Sequence, residues 1–173
     1  MENASAAALA ALAAGASPKT VQEALNCYQS AAHRLEHIDT IHGVDFFNDS
    51  KATNVDAVIR AVESFSKPVV LIMGGLDKGG NFHALREVLP RHAKKLIVMG
   101  KAAARIQSEL EGTVPTISVA SMADAVKQAY RVVSPDNVVL LSPGCASFDM
   151  YDNYAQRGED FRKAVKKFKM QLS

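Results

Sequence analysis

The 173-residue chain has no tryptophan, two cysteines and only 6% aromatic residues. Cys27 and Cys145 are too few to staple a domain of this size, which excludes a disulfide scaffold and fits a reducing cytoplasm. Cys27 falls in a helical pattern and is expected to be a small buried hydrophobe, whereas Cys145, in a Gly/Ser loop, leaves a reactive thiol open. No apolar run approaches the roughly 18–20 residues that span a bilayer, so no membrane helix is expected. Charge of one sign is also lacking: 20 Lys+Arg against 18 Asp+Glu leave +2, no global field for nucleic acid or an anionic membrane. The alanine-rich start, MENASAAALAALAAG, has acidic Glu2 and no basic leader. It reads as a helix capped at Gly15 rather than as a signal peptide.

What is present is ordinary in bulk. Hydrophobic residues make up 48% and charged residues 22%, enough for one folded domain, or one domain plus a piece of another. A second helix is expected from Ser17 as N-cap and Pro18, with Val21, Ala24, Leu25 and Tyr28 as its stripe. RLEHIDTI and VDFFN are expected to form a hairpin turning at His42-Gly43. Four segments, KPVVLIMGG, KKLIVMG, VPTISVA and DNVVLLSPG, are short and apolar on both faces, as in strands buried on both sides of a parallel sheet. Helical patterns at 54–65, 82–92, 101–111, 121–133 and about 150–170 alternate with them, with Asn54, Asn81 and Ser121 as expected caps. That alternation predicts an α/β domain: a doubly wound, Rossmann-like, mostly parallel sheet with an N-terminal hairpin, preceded by two helices. The composition shift near 30–33 is the expected boundary.

Ligands of such sheets bind beyond the carboxyl ends of the strands. Three polar or glycine-rich loops fall there: NDSKATN (48–54), GGLDKGG (74–80) and SPGCASFD (142–149). Lys51 and Lys78 on this rim suit a phosphate or carboxylate. Asp49 and Asp77 are expected either to pair with those lysines or to meet a ribose or metal. The glycine loop fits neither G-x-x-x-x-G-K-[ST] nor G-x-G-x-x-G, which excludes a self-contained nucleotide fingerprint. In the third loop, Ser147 reads as an N-cap of the last helix or as part of an anion site at that helix start. His33 and His37 sit at a strand start without metal-ligand spacing. His83 and His92 read as surface residues of one helix. The basic tail Arg162, Lys163, Lys166, Lys167 and Lys169 reads as a solvated helix face rather than a nucleic-acid site.

HRLE (33–36), NDSKATN, GGLDKGGNF (74–82) and LLSPGCASFDMYDNYAQRGEDF (140–161) together resemble the C-terminal domain of the D-glutamate-adding branch of the Mur ligase family, in order from about 33 to 168. Residues 3–30 resemble the closing helices of that family's central ATPase domain, so residues 1–31 are expected to be a helical remnant of it and 32–173 the D-glutamate-binding domain. The resemblance implies an ATP- and Mg²⁺-dependent ligase of bacterial peptidoglycan synthesis in the cytoplasm. It joins UDP-MurNAc-L-alanine to D-glutamate through an acyl phosphate. It further implies that Lys78, Thr53, Ser147 and the Phe148 backbone bind D-glutamate, with Tyr154 packing beside it. Arg34 and Asp49 would reach the nucleotide, and Lys51 would lie near the phosphates or reaction centre in a catalytic role. Gly144 departs from the alanine more usual there. The phosphate loop and Mg²⁺ ligands belong to the family's N-terminal and central domains. The chain alone is therefore expected to be an inactive truncated or excised portion; a stand-alone, non-catalytic α/β binding or regulatory module is the alternative. Self-association through 1–31 is a further expectation.

Overall fold

The structure is a computed structural model that describes residues 2–27 and 31–172. The chain divides into two compact units, 1–31 and 32–173.

The first unit holds α1 (Glu2–Ala13) and α2 (Pro18–Cys27). Gly15, at φ +94°, ends α1: Gly15 N–H donates to Leu12 O and Ala16 N–H to Ala11 O, the pattern of a left-handed C-cap. Ser17 Oγ accepts from Thr20 N–H at 3.1 Å and caps α2. Cys27 is exposed, against the expected burial, because α2 buries none of its described residues. Tyr28, expected on this helix, lies outside the described residues.

The second unit contains β1 (Glu36–Ile41), β2 (Val44–Asn48), α3 (Val55–Glu63), β3 (Val69–Gly74), a 3₁₀ turn (Phe82–Arg86), α4 (Leu89–His92), β4 (Ala93–Met99), α5 (Ala103–Glu109), β5 (Thr116–Ser118), α6 (Met122–Val132), β6 (Val138–Leu141) and α7 (Tyr154–Leu172). The six strands form one sheet in the order β1-β2-β6-β3-β4-β5. β1 runs antiparallel to β2, and the other pairings are parallel. The hairpin turns at His42 and Gly43, both with positive φ, the requirement of a type I′ turn.

Because β3, β6 and the Leu96–Met99 part of β4 are apolar on both faces, successive residues enter opposite cores. Val69, Leu71 and Met73 join a core with Val58 and Val62 of α3 and Ile106 of α5. Val70 and Ile72 join the other, with Ala125 and Val126 of α6 and Phe161 and Val165 of α7. Helices therefore cover both faces, which is the doubly wound architecture expected.

Four local readings are corrected. The pattern at 82–92 is split in two: Pro90 has no N–H and would press on the carbonyl of Arg86, where the 3₁₀ turn stops. His83 and His92 consequently sit on different elements. Asn81 precedes the 3₁₀ turn without a side-chain capping bond, unlike Asn54 and Ser121, which accept from Ala57 and Asp124 N–H. β5 is a three-residue edge strand, partly buried to exposed, not a strand buried on both sides.

Candidate functional site

Three neighbouring strands, β2, β6 and β3, end side by side, and the three loops singled out above leave from those ends. Backbone bonds lace them together. Asp49 N–H donates to Leu141 O, at the end of β6, at 2.8 Å, and Gly144 N–H donates to Ala52 O at 2.9 Å, joining the third loop to the first. Gly74 N–H donates to Pro143 O, while Leu76 and Ala146 exchange bonds of 2.8 and 3.0 Å, joining the second to the third. Gly75 sits at φ +129°, and a Cβ there would overlap Ala146 O, so this crossing requires glycine.

The cationic side chains stand on aromatic neighbours. Lys78 Nζ lies 5.3 Å from the centre of the Phe148 ring, and Lys51 Nζ lies 5.7 Å from that of Tyr154, within the range of cation–π attraction. Lys51, Thr53 and Lys78 are exposed. Phe148 is 60% and Tyr154 36% exposed, large values for aromatic rings, while Ser147 is buried. Ser147 does not cap the last helix. Its carbonyl accepts from Met150 and Tyr151 N–H in a turn, and α7 starts later, where Asn153 Oδ1 accepts from Gln156 N–H at 2.9 Å.

Asp49 pairs with neither lysine. It is buried, accepting from Ser142 Oγ–H at 2.9 Å and from Leu35 N–H at 3.2 Å. Burial pushes its carboxyl up to about 6, against the opposing pull of those two donors and of the Arg34 charge. Arg34, exposed, lies between His33 and Leu35, both at positive φ. That kink holds the segment against the first loop, with Lys51 N–H donating to His33 O at 3.0 Å. Asp77 pairs with Arg105 instead of a lysine and accepts from Gly79 and Gly80 N–H. Burial would raise its carboxyl; these donors and Arg105 outweigh burial and hold it below its usual range.

The Cys145 thiol, left open by the sequence, is buried in the third loop. Burial, with Asp77 adding to it, pushes it up to about 12, so thiolate is scarce at neutral pH. His33 is buried and meets Asn48 Nδ2 through its Nδ1 at 2.9 Å. His37 is exposed, near Thr40 and Asp45. Among the described residues no group of three or more His, Cys, Asp or Glu gathers to hold a metal, and no helix is long and apolar enough to cross a membrane. The basic tail is partly paired: Arg162 with Glu36 and Glu159, and Lys169 with Asp39.

One residue escaped the sequence reading. Arg157 of α7 is 3% exposed and donates to Ser50 Oγ, Ser50 O, Gly74 O and Cys145 O. The signal was its spacing: Arg157, Phe161 and Val165 recur every four residues on one buried face.

A family profile described as Mur ligase, glutamate ligase domain, matches residues 33–145. The chain is 47% identical over 169 residues to the UDP-N-acetylmuramoylalanine–D-glutamate ligase of Desulfosudis oleivorans, covering 98% of this chain and 37% of that protein. It is 46% identical over 168 residues to the ligase of the same name from Syntrophus aciditrophicus, covering 97% and 37%. The chain thus spans little more than a third of these curated relatives. Among solved structures, the UDP-N-acetylmuramate-alanine ligase of Thermotoga maritima superposes with a TM-score of 0.68 at 15% identity, covering 98% of this chain and 37% of that one. The FolC protein of E. coli does so with 0.60 at 17% identity, covering 95% and 38%; both show a shared fold. The chain belongs to the Mur ligase family, within the C-terminal domain of its D-glutamate ligases.

Proposed function

We propose that the rim of the second unit binds the D-glutamate that a Mur ligase adds to UDP-MurNAc-L-alanine. The observation that carries this reading is Lys78 set over the Phe148 ring beside buried Ser147, where the second and third loops are zipped together. A dicarboxylate amino acid needs a cation for a carboxylate, polar groups to orient it and an apolar wall for its methylenes. Lys78 supplies the cation, Thr53, Ser147 and the Phe148 amide the polar groups, and Tyr154 the wall. Holding the ligand by its carboxylates leaves its amine free to attack the activated carboxylate of the other substrate.

ATP supplies the phosphoryl group that activates that carboxylate, and Mg²⁺ offsets phosphate charge; both are held chiefly by the family's other domains. On this chain, Arg34 and buried Asp49 face the nucleotide, and Lys51 stands by to balance charge developing at the reacting phosphate. Residues 1–31 belong, in this reading, to the neighbouring ATPase domain. The 173 residues by themselves lack the phosphate loop and give no ligase turnover.

Amide chemical-shift mapping tests the site. D-glutamate is expected to shift Lys78, Thr53, Ser147 and Phe148, weakly in affinity, and Lys78→Ala is expected to abolish those shifts. Shifts elsewhere, or equal shifts in the variant, would refute the assignment. Turnover by the 173-residue chain with ATP and both substrates would refute its inactivity.

A further inference from the structure

We propose that Arg157 is a positioning residue: its guanidinium braces the three rim loops from beneath and sets the spacing at which they present Thr53, Lys78 and Ser147 to one ligand. The proposal rests on reading that rim as the D-glutamate site.

The sequence places Arg157 on the buried face of α7, where an apolar side chain would be the ordinary choice. Its four bonds divide among all three loops. Nε donates to Ser50 Oγ at 3.0 Å and one terminal nitrogen to Ser50 O at 2.9 Å, in the loop after β2. The other terminal nitrogen donates to Cys145 O at 3.1 Å, after β6, and to Gly74 O at 3.4 Å, at the end of β3. A planar group with donors in fixed directions holds its acceptors at fixed mutual positions, which a rotatable ammonium does not.

Every one of these acceptors is an uncharged oxygen. An arginine kept only to neutralise a carboxylate would be bonded to one. Burial lowers Arg157 to about 10, still charged at neutral pH, and the Asp149 carboxylate, which lines the same small cavity, favours the cation. The surroundings are shaped for it. A Cβ on Gly75 would stand 3.0 Å from the guanidinium, and Ser50 Oγ, while accepting from it, donates onward to Tyr154 O at 2.7 Å. That last bond ties the brace to Tyr154, the aromatic beside Lys51.

The test compares Arg157→Lys, Arg157→Met and wild type as 173-residue chains, by amide hydrogen exchange and D-glutamate titration. The reporters are Leu76, Gly144 and Ala146, whose amides bond between loops; Leu71 and Ile97, in the buried strands, report global opening. Exchange at the reporters is expected to rise about tenfold or more relative to the strand amides. D-glutamate binding is expected to weaken, and lysine is expected not to restore either property. A uniform rise at reporters and strands, or full rescue by lysine, overturns the proposal. Lys78→Ala separates the two ideas: it should remove the D-glutamate response and leave reporter exchange unchanged. Absence of any D-glutamate shift in wild type overturns the site reading, while the exchange comparison still decides the brace. If both Arg157 variants fail to fold, Ser50→Ala decides it, by the same relative rise at the reporters or its absence.

Discussion

Asp49 is a carboxylate that the fold holds at a cost. Its raised value, from 3.8 to about 6, means that the native state takes up a proton more readily than the unfolded chain. Stability is therefore greatest below pH 4 as far as this group is concerned, and declines as pH rises through about 6. Asparagine mimics the protonated form, with Oδ1 to accept from Leu35 and an amide to donate to Ser142 Oγ. Asp49→Asn is expected to stabilise the chain by about 1–2 kcal/mol at pH 8 and by almost nothing at pH 4. Thermal melts at the two pH values check this; an equal effect at both would show that charge is not the cause. The cysteines give a second test at this scale. Exposed Cys27 should be alkylated readily in the native protein, and buried Cys145 only after unfolding. Peptide mass mapping of label on native Cys145 would contradict the packing around the third loop.

Gly158 lies in α7, where alanine would ordinarily be preferred by about 1 kcal/mol. Here a Cβ would intrude on His33 Nδ1 and come within 3.0 Å of Asn48 Nδ2, the pair whose hydrogen bond closes the kink before β1 onto the end of β2. The intrusion outweighs propensity, so Gly158→Ala should destabilise by about 1–3 kcal/mol. Urea unfolding showing the alanine variant more stable would mean that His33 moves aside freely. The same element shows what sequence reveals and hides. The hairpin was legible because His42-Gly43 is turn chemistry, and the sheet because β3, β6 and the Leu96–Met99 part of β4 lack a polar face. The three loops were legible because their composition changes where the strands end. The brace was hidden because its partners are carbonyls 83 and 107 positions away in sequence, and arginine in a helix reads as surface. Asp49 was placed at the rim correctly, but its partner Ser142 is 93 positions distant, and nearby Lys51 was the more obvious candidate. The late start of α7 was missed because Ser147 is a good cap, whereas the turn it makes leaves Asn153 to do the capping.

At the scale of the chain, the two units differ in what holds them. Both cores of the second unit are assembled from Leu35 onward, and its sheet from Glu36 onward. A fully buried Leu, Ile or Phe contributes about 1.5–3 kcal/mol, and this unit buries many, from Phe46 to Phe161. The first unit has helices of 12 and 10 residues. Its Leu9, at 68% exposed, and Leu25, at 41%, contribute little burial. Helices that short are marginal without a packed face, even when rich in alanine. Removing residues 1–31 should therefore change the unfolding free energy by less than about 1 kcal/mol. In the full chain, amides of α1 and α2 should exchange far faster than those of β3 and β4. Urea titration of the 32–173 chain and exchange on the full chain check the two halves of this prediction. A loss above about 2 kcal/mol on deletion, or protection in α1 matching that of β3, would mean that the N-terminal helices are integral to the stability of the second unit. Survival of the deleted chain, with the D-glutamate shifts at Lys78 and Ser147 intact, would place the whole amino-acid site within residues 32–173.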